Sequence, residues 1–226
     1  MVFPRRCPVC DEIVRPFGTK ICKMCEPKLR RIREPWCMKC GKKLHQEEEY
    51  CADCRRRRHR YIRGRALYEY DSVAASVYRF KYGKRREYAE YFGEEMSRQL
   101  GGFIRQIKPD ALIPIPLHKK RMQKRGYNQA ALLAKKMGDC LGVPVYDKLL
   151  LRVKNTMPLK RQNLEERQNN LKRAFNMAQN DVKLNTIIII DDIYTTGSTI
   201  DEAAYVLQAA GISRIYFITL ACGAGI

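Results

Sequence analysis

Four consecutive isoleucines, Ile187–Ile190, run straight into Asp191 and Asp192, and this junction constrains the fold more than any other stretch. An apolar run without polar alternation reads as a strand buried on both faces, which places it in a parallel sheet covered by helices. The two carboxylates fall where such a strand should end. After Ile193 and Tyr194 come Thr195, Thr196, Gly197, Ser198 and Thr199, then a helical pattern of Ile200, Ala203, Ala204 and Leu207 that closes at Gly211. Strand, acidic pair, hydroxyl–glycine loop and helix together suit a phosphorylated sugar. Backbone N–H groups at the helix start and the Thr and Ser hydroxyls can hold a phosphate, and the helix dipole favours its charge. Gly197 lets the backbone close around the ligand. The carboxylates can accept hydrogen bonds from ribose hydroxyls and help hold a hydrated Mg²⁺. Helix capping alone accounts for one acid or one Thr, not for two acids and four hydroxyls. Neighbouring strand residues point to opposite faces, so Asp191 and Asp192 are not expected to face each other as a glycoside-cleaving pair.

Eight of the ten cysteines lie between residues 7 and 54, as four C-x-x-C pairs: Cys7/Cys10, Cys22/Cys25, Cys37/Cys40 and Cys51/Cys54. Each pair can put two thiolates on one metal, and two pairs complete a tetrahedral Zn²⁺ site. Redox motifs and an iron–sulfur cluster are the alternatives; four pairs at near-regular spacing favour zinc. Cys7-Pro8-Val9-Cys10-Asp11 and Cys37-Met38-Lys39-Cys40-Gly41 repeat the same opening knuckle, each followed by a second pair at a similar distance. The repeat favours two consecutive ribbons, Cys7, Cys10, Cys22 and Cys25 then Cys37, Cys40, Cys51 and Cys54, over interleaved pairing. So short a segment lacks a core of its own, and metal binding must supply much of its folding free energy. Both Zn²⁺ ions are expected to be structural, since four thiolates leave no open position. Cys140 and Cys222 lie outside the repeat and should be buried. His45 and His59 read as surface histidines, and Trp36 as shared core of the two repeats in preference to a base-stacking platform.

The chain carries a net charge of +20 over 226 residues, which points to an anionic partner: nucleic acid, polyphosphate or an anionic surface. Residues 1–65 hold 19 Lys and Arg against 8 Asp and Glu, a net +11 of that total. The peak runs Arg55, Arg56, Arg57, Arg58, His59, Arg60, Tyr61, Ile62, Arg63, Gly64, Arg65. Cations with an interleaved aromatic suit the phosphates and bases of a single strand; a solvated basic linker is the plain alternative. The beginning of the chain lacks an apolar export core and no run approaches a membrane span, which favours the cytosol, where thiols stay reduced.

From Ala66 the pattern becomes α/β. Residues 67–70 read as a short strand and Val73, Val77 and Phe80 as a helical face. A second helix over about 86–100 carries Tyr88, Tyr91, Phe92, Met96 and Leu100. Residues 110–116 form an apolar strand stopped by prolines, leading into the basic connection Lys119–Arg125 with its Arg121, an anion-gripping loop. A helix then runs to Leu141 and ends at Gly142. Residues 144–153 make another strand, the polar stretch 152–163 suits either a lid or a surface loop, 165–174 is helical, and 214–221 is the last strand.

The thirteen residues from Ile187 to Thr199 resemble the phosphoribosyl-pyrophosphate (PRPP) motif of type I phosphoribosyltransferases. Three further features resemble the ComF (competence protein F) family: the double C-x-x-C head, Pro114–His118 with Arg125–Gln129, and Arg167, Asn170, Ala174 and Phe175. That family joins a zinc ribbon to a type I phosphoribosyltransferase domain. The resemblance implies a double zinc ribbon over residues 1–60 and, over residues 61–226, a phosphoribosyltransferase-like parallel sheet flanked by helices. Leu159 and Gln162 depart from the family pattern in the lid. By the same resemblance Asp191 and Asp192 would act on ribose hydroxyls and Mg²⁺ and so carry the chemistry. Thr195, Thr196, Gly197, Ser198 and Thr199 would hold the 5-phosphate, and Lys119, Arg121 and Arg125 the pyrophosphate. It further implies a role in the uptake of transforming DNA beside partner proteins. Two hypotheses therefore stand together: a Mg²⁺-dependent phosphoribosyltransferase of unknown acceptor, and a non-catalytic nucleic-acid-binding protein whose PRPP site senses a nucleotide metabolite.

Overall fold

A computed structural model describes residues 4–16, 18–46, 48–154, 174–178 and 182–223. Its centre is a four-stranded parallel sheet made of β1 (Gly64–Glu69), β6 (Arg214–Cys222), β5 (Thr186–Tyr194) and β2 (Ala111–Pro114), in that spatial order. The isoleucine run is buried on both faces, as its lack of alternation requires. Ile188 and Ile190 pack with α2 (Tyr70–Tyr82), α3 (Tyr88–Ile107) and α5 (Gln129–Leu141). Ile187 and Ile189 face the opposite way, onto α6 (Ser198–Ala209) and the second cysteine ribbon. A separate antiparallel pair joins β3 (Leu150–Arg152) to β4 (Phe175–Met177).

Several elements differ in extent from their sequence reading. Helix α3 runs on to Ile107 because Ile104 and Ile107 bury further turns against the core, and tertiary packing outweighs the poor propensity of Gly101 and Gly102. The stretch expected as one strand over 144–153 is a single bridge from Val145 to Leu112, followed by the short β3. The basic connection after β2 is helical, α4 (Lys119–Arg125), capped by the His118 side chain on the Lys120 N–H. The expected lid beyond Lys154 and the helix expected over 165–174 lie outside the described residues, Ala174 apart.

The cysteine-rich segment is built as a repeat displaced by thirty residues. Cys7 N–H donates to Glu12 O and Cys37 N–H to Lys42 O, both at 2.8 Å, and the bridges Arg6–Ile13 and Trp36–Lys43 correspond. The first unit rests on α2 and α3. Asp11 accepts two hydrogen bonds from Arg85 and one from the Tyr88 hydroxyl, which hold its carboxyl below the usual range against the opposing effect of burial. The second unit is closer still: at Gly41 (φ +73) a Cβ would stand 2.8 Å from both Arg65 Cα and Gly64 O. Only glycine permits that contact between ribbon and β1.

Between the ribbons and α3 lies a buried carboxylate. Glu95 is 3 % exposed and receives hydrogen bonds from Arg31, Arg98 and the Tyr68 hydroxyl. Burial alone would raise its pKa, but the bonds from Arg31 and Arg98 outweigh it and leave the group below the ordinary 4.5. Its contribution is therefore present above pH 4.5 and is lost as pH falls through the lowered native value. Among the described residues, Glu95→Ala leaves the partly buried Arg31 side chain with only its longer carboxylate contact, to Glu26 at 3.4 Å. The variant should lose about 3 kcal/mol at neutral pH by urea unfolding. The gap between wild type and variant should narrow as pH drops below 4.5.

Candidate functional site

Strand β2 stops at Pro114, opposite Ile190, while β6 accompanies β5 to the pair Tyr194–Cys222. The acids therefore do not mark the end of β5, as the sequence suggests, but the end of its neighbour. Beyond Pro114 the missing strand opens a cavity of about 700 Å³ into which β5 carries Asp191 and Asp192. Adjacent residues still point to opposite faces, and Lys81 acts on both carboxylates. Asp192, 8 % exposed, lies on the α2 face with Lys81 Nζ 2.8 Å from its Oδ2. Asp191 shares the cavity with Arg152 of β3 and accepts the Asp192 N–H at 2.8 Å. Asp191 is a partly buried lining residue whose carboxyl is enclosed enough for burial, and next the Asp192 charge, to push it up to about 7 against the pull of Lys81.

The remaining walls come from the 195–199 loop, α2, α4 and the start of α5. Arg121 and Arg125 of α4 face the cavity. Lys119 does not: it is exposed at the first residue of α4 and outside the lining, because the helical turn separates it from Arg121. Arg125 lies 5.3 Å over the Tyr82 ring and donates to Gln129 Oε1 at 2.6 Å. Burial and then Arg125 lower the Arg121 guanidinium, and burial and then Arg121 bring Arg152 to about 10. These are desolvated cations crowded together, an environment that favours an anion between them. Lys81, Arg152 and the half-exposed rings of Tyr78 and Tyr82 are lining residues that the sequence reading missed. Their only signal is polarity at the edge of apolar stretches: Lys81 beside Phe80, and Arg152 after Leu149, Leu150 and Leu151.

Thr195, Thr196, Gly197, Ser198 and Thr199 all line the cavity. Gly197 is the N-cap of α6 in the left-handed region (φ 80), so no side chain caps the first amides, and Thr196 Oγ1 and Ser198 Oγ are 3.0 Å apart. The need for glycine is set by protein as well as by ligand: a Cβ there would meet Tyr194 Oη at 2.7 Å and the His59 ring at 3.1 Å.

The eight cysteines gather in two groups, Cys7, Cys10, Cys22, Cys25 and Cys37, Cys40, Cys51, Cys54, each with its sulfurs within 4.8 Å of one another. That is the consecutive pairing. A tetrahedral Zn²⁺ with bonds of about 2.3 Å spaces its sulfurs by about 3.8 Å; the Cys40–Cys51 and Cys10–Cys22 separations are 3.7 and 4.0 Å. The donor sets therefore fit zinc. Cys222 is buried as expected, but Cys140 is exposed, since it lies on the outer side of α5.

The basic segment divides. Arg55 and Arg56 in α1 (Ala52–Arg56), together with Arg58 and Arg60, are exposed, and Arg57 is partly so. Tyr61 offers no face to a base: it is 1 % exposed, edge-on to Phe217, with its hydroxyl 2.7 Å from that of Tyr194. Arg63 and Arg65 lie over the Phe103 ring, and Arg65 also over Trp36 at 4.6 Å, where burial and then Arg63 bring it down to about 10. Trp36 is accordingly half-buried beneath a cation. The His59 side chain, expected at the surface, is enclosed. Between Arg58 and Ile62 the segment alternates, with His59 and Tyr61 inward and Arg58, Arg60 and Ile62 outward, a direction composition does not carry.

Residues 1–55 match the double zinc ribbon domain family. Nearly the whole chain is similar to competence protein F of Haemophilus influenzae, at 28% identity over 223 residues, 94% of this chain and 95% of that protein. It is 32% identical over 213 residues to competence protein ComFC of Bacillus subtilis, covering 88% and 84% of the two chains. The DNA utilization protein YhgH of Salmonella typhi is 26% identical over 219 residues, 95% of this chain and 96% of that one. No described helix is long and apolar enough to cross a membrane.

Cys40 sits in the main core with Tyr61 and Phe217, whereas Cys10 is exposed at the first unit. Metal analysis of protein purified without chelator should give about two Zn²⁺ per chain. Cys40→Ser should lower the thermal midpoint far more than Cys10→Ser, because the second ribbon is part of the sheet's own core.

Proposed function

The chain belongs to the competence protein F (ComF) family, and from that premise we propose that it binds PRPP with Mg²⁺ and single-stranded nucleic acid, acting in the cytosol in the uptake of transforming DNA. The observation that carries the reading is the cavity beyond Pro114, where two carboxylates, a glycine–hydroxyl helix start and the cations Arg121, Arg125 and Arg152 face one space. A ligand with a phosphate at one end, sugar hydroxyls in the middle and a pyrophosphate at the other needs those three chemistries together. Thr195–Thr199 would take the 5-phosphate on backbone amides and hydroxyls. Asp191 and Asp192 would accept from the ribose hydroxyls and hold hydrated Mg²⁺, whose charge helps neutralise a departing pyrophosphate. Arg121, Arg125 and Arg152 would bind that pyrophosphate. In a transfer reaction the protein's work is to hold sugar and acceptor in line and to stabilise the leaving group.

The second reading, a nucleic-acid-binding protein whose PRPP site senses a metabolite, is favoured by the outward-facing Arg55, Arg56, Arg58 and Arg60. The two differ in one measurement, release of pyrophosphate from PRPP in the presence of bases, amines or single-stranded DNA. Turnover supports the transferase; binding without turnover supports the sensor.

Calorimetric titration with PRPP and Mg²⁺ tests the site itself. Asp191→Asn with Asp192→Asn should weaken binding by more than about tenfold, each charged hydrogen bond lost costing about 1.5–3 kcal/mol. Equal affinities would overturn the assignment.

Single-stranded DNA should bind with little sequence preference and a steep salt dependence, each neutralised phosphate contributing a log–log slope of about −0.7. Changing Arg55, Arg56, Arg57 and Arg58 to Ser should flatten that slope. An unchanged slope would leave the segment a solvated linker.

A further inference from the structure

The segment that leaves the second ribbon ends against the back of the 195–199 loop. The His59 side chain has no exposed surface, and its Nδ1 lies 2.7 Å from Asp201 Oδ2. The Arg60 N–H donates to Oδ1 of the same carboxylate at 2.9 Å. Asp201 stands in the first turn of α6, and its own N–H closes that turn on Gly197 O at 2.8 Å. The carboxylate gripped by the linker thus belongs to the residue whose amide holds the glycine of the loop.

The rings complete the support. His59 stacks on Tyr61 with centroids 4.9 Å apart, and Tyr61 is bonded through its hydroxyl to Tyr194, the last residue of β5. Gly197 lies directly on both His59 and Tyr194, since a Cβ there would be 2.7 Å from Tyr194 Oη and 3.1 Å from His59 Cε1. A carboxylate only accepts, so Nδ1 carries the proton toward Asp201. His59 Nε2 is then a buried atom without a hydrogen-bond partner among the described residues. Leaving such a group unpaired is unfavourable, and an apolar side chain of similar size would avoid that cost at an ordinary core position.

We infer that His59 is a positioning residue for the 195–199 loop, holding its backbone in the anion-binding form through Asp201 and Gly197. Zinc ribbon, basic segment and anion site are then one connected unit, and the loop's order depends on a contact between residues 142 positions apart. The inference rests on the proposed anion site only for the identity of the ligand.

Hydrogen exchange of the full-length, zinc-loaded protein tests it, together with titration of PRPP and Mg²⁺. His59→Leu should speed amide exchange at residues 196–201 selectively, and should weaken PRPP roughly tenfold or more, the scale of one lost charged hydrogen bond. Asp201→Ala, which cuts the same link from the helix side, should do likewise. His59→Asn, whose amide can donate to Asp201 from the place of Nδ1, should restore most of both effects. Loop exchange unchanged in His59→Leu and Asp201→Ala, or faster exchange throughout the chain, would overturn the inference. So would an Asn variant no better than Leu. If the wild type binds no PRPP the proposed function fails, and the exchange measurement still decides the role of His59.

Discussion

Through Ile190, β5 is dry on both faces; in the next two residues it carries two carboxylates. A strand can make that change only where its surroundings change with it, because burying an unpaired charge is far more costly than any local gain. The change is supplied by β2, which turns away at Pro114 and leaves one side of β5 without a neighbour. Two features of the cavity follow from that early stop. It lets residues on opposite faces of one strand reach a common space, and it brings α4 and the start of α5 up to the strand's end. In open parallel sheets, ligands gather at such carboxyl ends.

Asp191, Arg121 and Arg152 of the cavity are displaced from their ordinary ranges. Asp191 is pushed toward neutrality, and Arg121 and Arg152 are held down by burial and mutual repulsion. Groups shifted in this way gain most from an arriving counter-charge, the anion for Arg121 and Arg152 and a divalent cation for Asp191. A magnesium-bound polyphosphate brings both at once, which is why the proposed ligand suits the cavity better than a simple anion.

The ribbons are not appended modules. The first is tied to α2 and α3 by Asp11, Arg85 and Tyr88, and the second shares a core with β1, β6 and α6. A segment with too few apolar residues for its own core gains stability from the metal within and from the sheet outside. The consequence is that the linker leaving the second ribbon runs inward at His59 and Tyr61, under the proposed anion-binding loop, while Arg55, Arg56, Arg58 and Arg60 remain in solvent.

The buried parallel strand, the acidic pair with its hydroxyl–glycine loop, and the two consecutive cysteine sets are all legible along the chain. Each is local: periodicity, adjacency and spacing are properties of sequence neighbours. The helix ends at Gly142 and Gly211 are legible for the same reason, and both glycines take a left-handed turn. Other features depend on packing between distant segments. These are the continuation of β5 through its acids, the turning of Lys119 to solvent while Arg121 and Arg125 face the cavity, and the recruitment of Lys81 and Arg152 to its wall. The same holds for Tyr61, which composition places beside nucleic acid, and for His59, which reads as a surface histidine; packing places them against Tyr194 and Asp201. One physical reason covers them all. Which way a polar or aromatic side chain points is set by what lies across from it, and that partner is remote in the chain: 133 positions for Tyr61 and Tyr194, 142 for His59 and Asp201.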